Sequence, residues 1–132
     1  MPHQNLREFL AHLEKLQLLR RISAPVDRTW APAALAKWMY QALPGDQRFG
    51  LMFDNVMGCD IPLVTGAFGA STATYAAALG VSPNDINRTW IDAFGRMVAP
   101  RLVNEGPCQE VRHLGDQVNL DMLPVPIWTP GR

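Results

Sequence analysis

A thiol, an imidazole or a carboxylate does chemistry only when a second group activates or completes it. The cysteines are Cys59 and Cys108. A nucleophilic thiolate needs a lowered pKa and a base close by. Cys59 lies in a turn-rich stretch and Cys108 follows a proline, and neither has a base at a telling spacing. The two are far apart and show neither a disulfide framework nor a zinc spacing, so both read as free thiols. The histidines are His3, His12 and His113. Metal ligation needs several convergent ligands, and each of these reads as a lone surface imidazole. Asp54, Asp60, Asp85, Asp92, Glu105, Glu110, Asp116 and Asp121 read as caps, turns or solvated faces, without the pairing that acid/base catalysis requires. Gly66-Ala67-Phe68-Gly69-Ala70-Ser71 leads into a helix start, a place that can hold an anion. It lacks both the dinucleotide glycine pattern and the P-loop lysine. A plain tight turn is the first reading and phosphate binding the alternative. On these grounds no residue is assigned as catalytic, cofactor-binding or metal-ligating.

The elements that would position any site are clearer. Asn5 can cap a helix with Glu8 completing a capping box, and Leu6, Phe9, Leu10, Leu13 and Leu16 give it one apolar face ending near Gln17. Leu19 to Ile22 reads as a short strand, with Arg20 and Arg21 at least partly exposed. Asp27 and Thr29 offer caps for a second helix, with Pro32 in its first turn. Its expected apolar face is Ala31, Leu35, Trp38, Met39 and Ala42, and Pro44-Gly45-Asp46 stops it. Leu51-Met52-Phe53 and Ile61-Pro62-Leu63-Val64 flank a connection rich in turn formers, the pattern of a β-hairpin. Ser71 caps a short alanine-rich helix with Tyr75, Ala76 and Leu79 inward, closed by Gly80. Ser82, Pro83 and Asp85 start another, striped by Ile86, Trp90, Phe94 and Val98 and ended by Pro100. Cys108–Leu114 reads as an added strand. Pro124-Val125-Pro126-Ile127-Trp128-Thr129-Pro130 is extended, because alternate prolines exclude helix and central strand. Its apolar residues would dock on this domain, on a partner or on further chain. Trp30, Trp38 and Trp90 are expected in the core, Trp128 outside it.

The expected fold is therefore α+β: about four helices on a small mixed sheet with the hairpin central, plus an extended proline-rich tail. The expected division is residues 1–114 as the domain and 115–132 as a linker. At 132 residues and 48% hydrophobic, the chain suits one domain with a real core. Twelve basic residues balance twelve acidic ones. No basic stripe marks nucleic-acid binding, no run spans a bilayer, and the N-terminus lacks the pattern of a secretory signal. Cytoplasmic location is the expectation.

Several runs together carry a resemblance. Asn5-Leu6-Arg7-Glu8-Phe9-Leu10, Leu19-Arg20-Arg21-Ile22 and Pro25-Val26-Asp27 resemble the opening of the UbiD family of decarboxylases. Phe53-Asp54-Asn55-Val56-Met57-Gly58 with Ile61-Pro62-Leu63-Val64 is similar to its F-E-N-x-x-G…P-V hairpin. Phe68-Gly69 and Ala78-Leu79-Gly80 match the F-G…A-L-G that follows. Pro107 to Glu110, Gly115 to Leu120 and Leu123 to Pro126 resemble P-x-x-E…G-D-x-V-D-L…L-P-x-P, with Asn119 where aspartate is usual. Family members are several times longer. Their prenylated-FMN and metal ligands and their catalytic Glu-Arg-Glu set lie beyond the L-P-x-P run, so none maps onto this sequence.

The resemblance implies the N-terminal domain of an enzyme that reversibly decarboxylates an aromatic, heteroaromatic or α,β-unsaturated carboxylic acid. It implies prenylated FMN with Mn or Mg, and K, in the full-length enzyme, and homo-oligomers. No cofactor is expected on this chain alone, which should be inactive without its flavin-binding domain or a partner chain. The alternative is a non-catalytic small subunit that docks through its C-terminal tail.

Overall fold

The structure is a computed structural model that describes residues 3–128. Helix α1 spans Leu6–Lys15 and begins where the Asn5 side chain accepts the Glu8 N–H at 2.9 Å. The reciprocal arm of the expected box goes elsewhere: the Glu8 carboxylate accepts from Gln4 N–H and from the Asn5 amide. Phe9, Leu10 and Leu13 are buried, while Leu6 and Leu16 at the ends of the stripe are exposed.

Strand β1 (Leu19–Ile22) runs parallel to β2 (Gly50–Phe53), and β3 (Leu63–Thr65) pairs antiparallel with β2. The order β1-β2-β3 puts one strand of the expected hairpin at the centre of a mixed sheet and the other at its edge. Parallel neighbours need a crossover, supplied here by helix α2 (Ala31–Ala42). The hairpin connection is more than a turn. Val56 is buried and bridges Val26 in parallel, extending the β1–β2 pairing beyond both strands.

Strand alternation divides the core into two. Leu51 and Phe53 face Met39 of α2, together with Phe49, Val56 and Ala70. On the opposite face, Leu19 and Ala67 pack with Phe9, Leu10 and Leu13 of α1, and Met52 and Val64 lie against this group. Burying a side chain such as Phe53 contributes about 1.5–3 kcal/mol. Gly50 sits at the closest point. A Cβ there would lie 2.9 Å from Leu19 Cδ1 and 3.3 Å from Ala67 Cα.

The sequence misplaces the buried face of α2. Pro32, Ala33, Ala36 and Met39 turn inward, and Leu35 and Trp38 stay exposed. Small residues let the helix axis approach the sheet, which a Leu/Trp face would hold off. Neither Asp27 nor Thr29 caps α2. Asp27 instead accepts the Thr29 N–H at 2.8 Å, and the cap position falls to Trp30 with φ 74°. Trp30, Trp38 and Trp90 are 53%, 55% and 43% exposed, not core. A sheet of three short strands has too little surface to cover them.

Helix α3 (Thr72–Leu79) has its capping box, with Ser71 and Thr74 exchanging side-chain and backbone bonds, and closes on Gly80 at φ 68°. Helix α4 (Ile86–Phe94) starts after a 3-10 turn, where the Ser82 hydroxyl bonds the Asp85 carboxylate and leaves the helix end alone. It stops at Gly95, short of Val98 and Pro100, and buries none of its residues fully. The expected strand Cys108–Leu114 does not form. Pro107–Gln109 is a 3-10 turn, and Val111 and Leu114 are exposed. A strand needs a ladder partner and a surface to bury on, and this segment has neither.

The chain then returns to the body. Ile127 bridges Thr29, donating its N–H to Arg28 O at 3.0 Å and accepting from Trp30 N–H at 3.2 Å. Pro124 is buried. Thr129 and Pro130 of the extended run lie outside the described residues.

Candidate functional site

Polar side chains converge at three places. The first joins α1, β1 and the end of β2. Arg21 Nε donates to Glu14 Oε1, its Nη1 donates to Asp54 Oδ1, and Ser23 Oγ donates to Asp54 Oδ2 at 3.3 Å. Alternation on β1 points Arg21 toward α1, and Arg20 to the other face, where it covers the Phe49 ring at 4.0 Å. The Glu14 hydrogen bond raises the Arg21 pKa further, with burial opposing it and Asp54 adding to the rise. Arg21 thus remains a cation whose charge is already spent on two carboxylates. Beside it lies a cleft of about 680 Å³ between α1 and β3, walled by Leu6, Leu10, Met52 and Val64, with Arg7 at its rim.

The second place is Arg28. Its Nη1 donates to Asp121 O and Leu123 O, both at 3.2 Å, and its Nη2 pairs with Asp121 Oδ1 at 3.0 Å. Cys59 Sγ lies 3.7 Å from the same Asp121 carbonyl. Arg28 therefore joins the segment before α2 to residues some ninety positions later, a contact with no signal in the local sequence.

The third place is a cleft of about 660 Å³ between α1 and the end of α3. His3 and His12, which read as unrelated surface residues, have ring centroids 5.0 Å apart. His3 Nε2 lies 3.3 Å from Ala77 O, which ties the ring to the end of α3. His12 is half-buried, on the side of α1 that faces α3.

The remaining candidates stay apart. Cys59 and Cys108 are free thiols, the first half-buried and the second exposed. His113 is exposed, as are Asp60, Glu105, Glu110 and Asp116. Asp85 bonds Ser82, and Asp92 lies 4.0 Å from Arg96. At the start of α3 the loop closes on itself. Ala70 N–H bonds Gly66 O, and the Ser71 and Thr74 N–H groups are taken by the capping box, which leaves a tight turn rather than an open cradle. Among the described residues, no three of His, Cys, Asp and Glu converge as a metal site would require.

What the geometry defines is a small α+β domain whose polar contacts fasten its own elements together. The family model for the 3-octaprenyl-4-hydroxybenzoate carboxy-lyase N-terminal domain matches residues 10–94. The UbiD-class enzyme HmfF of Pelotomaculum thermopropionicum, solved with FMN, superposes with a TM-score of 0.74 at 30% identity over 92% of this chain and 26% of its own. An evolved dimeric form of HmfF with prFMN gives 0.74 at 32% identity over 95% of this chain and 28% of its own. The open form of Sedimentibacter hydroxybenzoicus vanillic acid decarboxylase, with truncated ShVdcD, gives 0.58 at 25% identity over 71% of this chain and 20% of its own. The chain belongs to the UbiD family, as its N-terminal domain. It spans about a quarter of the length of the HmfF structures it matches.

Proposed function

We propose that this chain is the N-terminal scaffold of a UbiD-like carboxy-lyase acting reversibly on an aromatic, heteroaromatic or α,β-unsaturated carboxylic acid. The observation that carries the reading is the match itself: nearly all of this chain aligns with about a quarter of the HmfF enzymes. The surface agrees with it. On and after α4, Ile91 and Phe94 are 72% exposed, Met97 84% and Val98 91%. An apolar surface of that kind marks an interaction site.

In this reading the flavin, a Mn or Mg ion and K belong to the rest of the enzyme, and no catalytic, cofactor or metal ligand comes from these residues. Prenylated FMN, when bound there, supplies the electron sink for loss of carbon dioxide. This chain supplies rigid packing against that part, and residues 115–132 lead into it. The complete enzyme is a cytoplasmic homo-oligomer. Among the described residues, no helix is long and apolar enough to cross a membrane.

The test is direct. The isolated 132-residue chain is titrated with FMN and prenylated FMN and assayed with cinnamate-type and furoate-type acids. No flavin binding and no carbon dioxide release are expected. Tight flavin binding with turnover would sink the reading.

A further inference from the structure

Resting on the reading above, we infer that Arg28 latches the tail back onto the body to build a composite aromatic surface, and that the catalytic part of the enzyme seats on this surface. The latch bonds Arg28 to Asp121 and Leu123, and the Ile127 bridge zips the tail to Arg28, Thr29 and Trp30. The exposed side chains of Trp30 (53%), Ile127 (38%) and Trp128 (59%) thereby spring from adjoining backbone, although the two tryptophans lie at opposite ends of the sequence. Neither segment makes the surface alone.

Two further observations point to a docking role. Trp30 holds φ at 74°, a conformation that a bulky side chain adopts only when its surroundings impose it, and such strain gathers at functional positions. Here it is imposed by the Asp27–Thr29 turn and by the docked tail. The second observation identifies the occupant. The matched family region is an N-terminal domain, and in the HmfF structures it accounts for about a quarter of the chain. The rest of such an enzyme therefore follows this region. One residue carries the chain at most about 3.6 Å, so Trp128, directly after the Ile127–Thr29 bridge, lies beside Trp30. Large tryptophans at low conformational cost are the usual anchors of such contacts.

Hydroxyl-radical footprinting with mass spectrometry reads each tryptophan separately. The isolated chain is compared with the longer enzyme that contains it, with added tryptophan amide as dosimeter. Burial in a dry interface core should lower oxidation of Trp30 and Trp128 roughly tenfold in the longer enzyme. Arg28→Ala in that enzyme should raise both rates together. Equal oxidation in the two samples overturns the inference and leaves the scaffold reading standing. So does an Arg28→Ala variant in which Trp128 is freed while Trp30 stays protected. If intact mass and co-purification show the 132 residues to exist alone, the scaffold reading and this inference fall together.

Discussion

Arg28→Ala should open the latch, and Cys59 is a built-in reporter of that opening, because its sulfur lies against the Asp121 carbonyl that Arg28 also holds. The size of the effect follows from the contacts. The Asp121 carboxylate is 86% exposed, so the ion pair itself contributes only about 0–1 kcal/mol. The two carbonyl bonds are charge-assisted, and such bonds contribute about 1.5–3 kcal/mol when fully formed, less for a partly exposed donor. The Ile127 bridge survives the substitution and keeps part of the docking. A loss of about 1–2 kcal/mol raises the open population by a factor of about 5–30. The assay is the rate of thiol–disulfide exchange with an aromatic disulfide in a Cys108→Ser background, which removes the exposed second thiol. Cys59 is already half-buried rather than sealed, so the rate should rise toward the lower end of that range. An unchanged Cys59 rate, with an unchanged melting temperature, would refute the latch.

Gly50→Ala should cost about 1–3 kcal/mol in urea unfolding, because the new methyl meets Leu19 Cδ1 at 2.9 Å and the Ala67 backbone behind it. Met39→Ala, at a fully buried position shared by α2 and the sheet, should cost about 2–5 kcal/mol with an unchanged denaturant slope. Arg21 has a folded-state pKa raised above its unfolded value, chiefly by Glu14. Its contribution is therefore fully present below the ordinary arginine range and is lost only as pH rises through the folded value. Arg21→Met should accordingly lower stability equally at about pH 6 and about pH 9, and a penalty that differed between the two would show that Arg21 is not the constant cation described.

Legibility followed the range of the interactions. The Asn5 and Ser71 caps, the Gly80 closure and the hairpin strands could be read because each signal lies within a few residues of its partner. The buried face of α2 could not. Periodicity admits Leu35/Trp38 or Ala33/Ala36 equally, and the choice depends on how closely the sheet lets a helix approach. Cys108–Leu114 failed for the complementary reason. Its residues tolerate extended structure, but a strand exists only against another strand.

The candidate chemistry divides in the same way. The scatter of cysteines and histidines and the missing phosphate motifs gave no residue to nominate for chemistry. The family pattern was spread along the chain in readable order. What sequence alone determined was therefore local conformation and kinship, both written in residues near one another or in ordered runs. Tertiary structure alone decided that His3 meets His12, that Arg21 is claimed by Glu14 and Asp54, and that Arg28 holds a tail some ninety residues away. Those contacts arise from how the layers stack, and the energy that selects the stacking is the burial of Leu51, Phe53, Leu13 and Met39 rather than anything in the polar residues themselves.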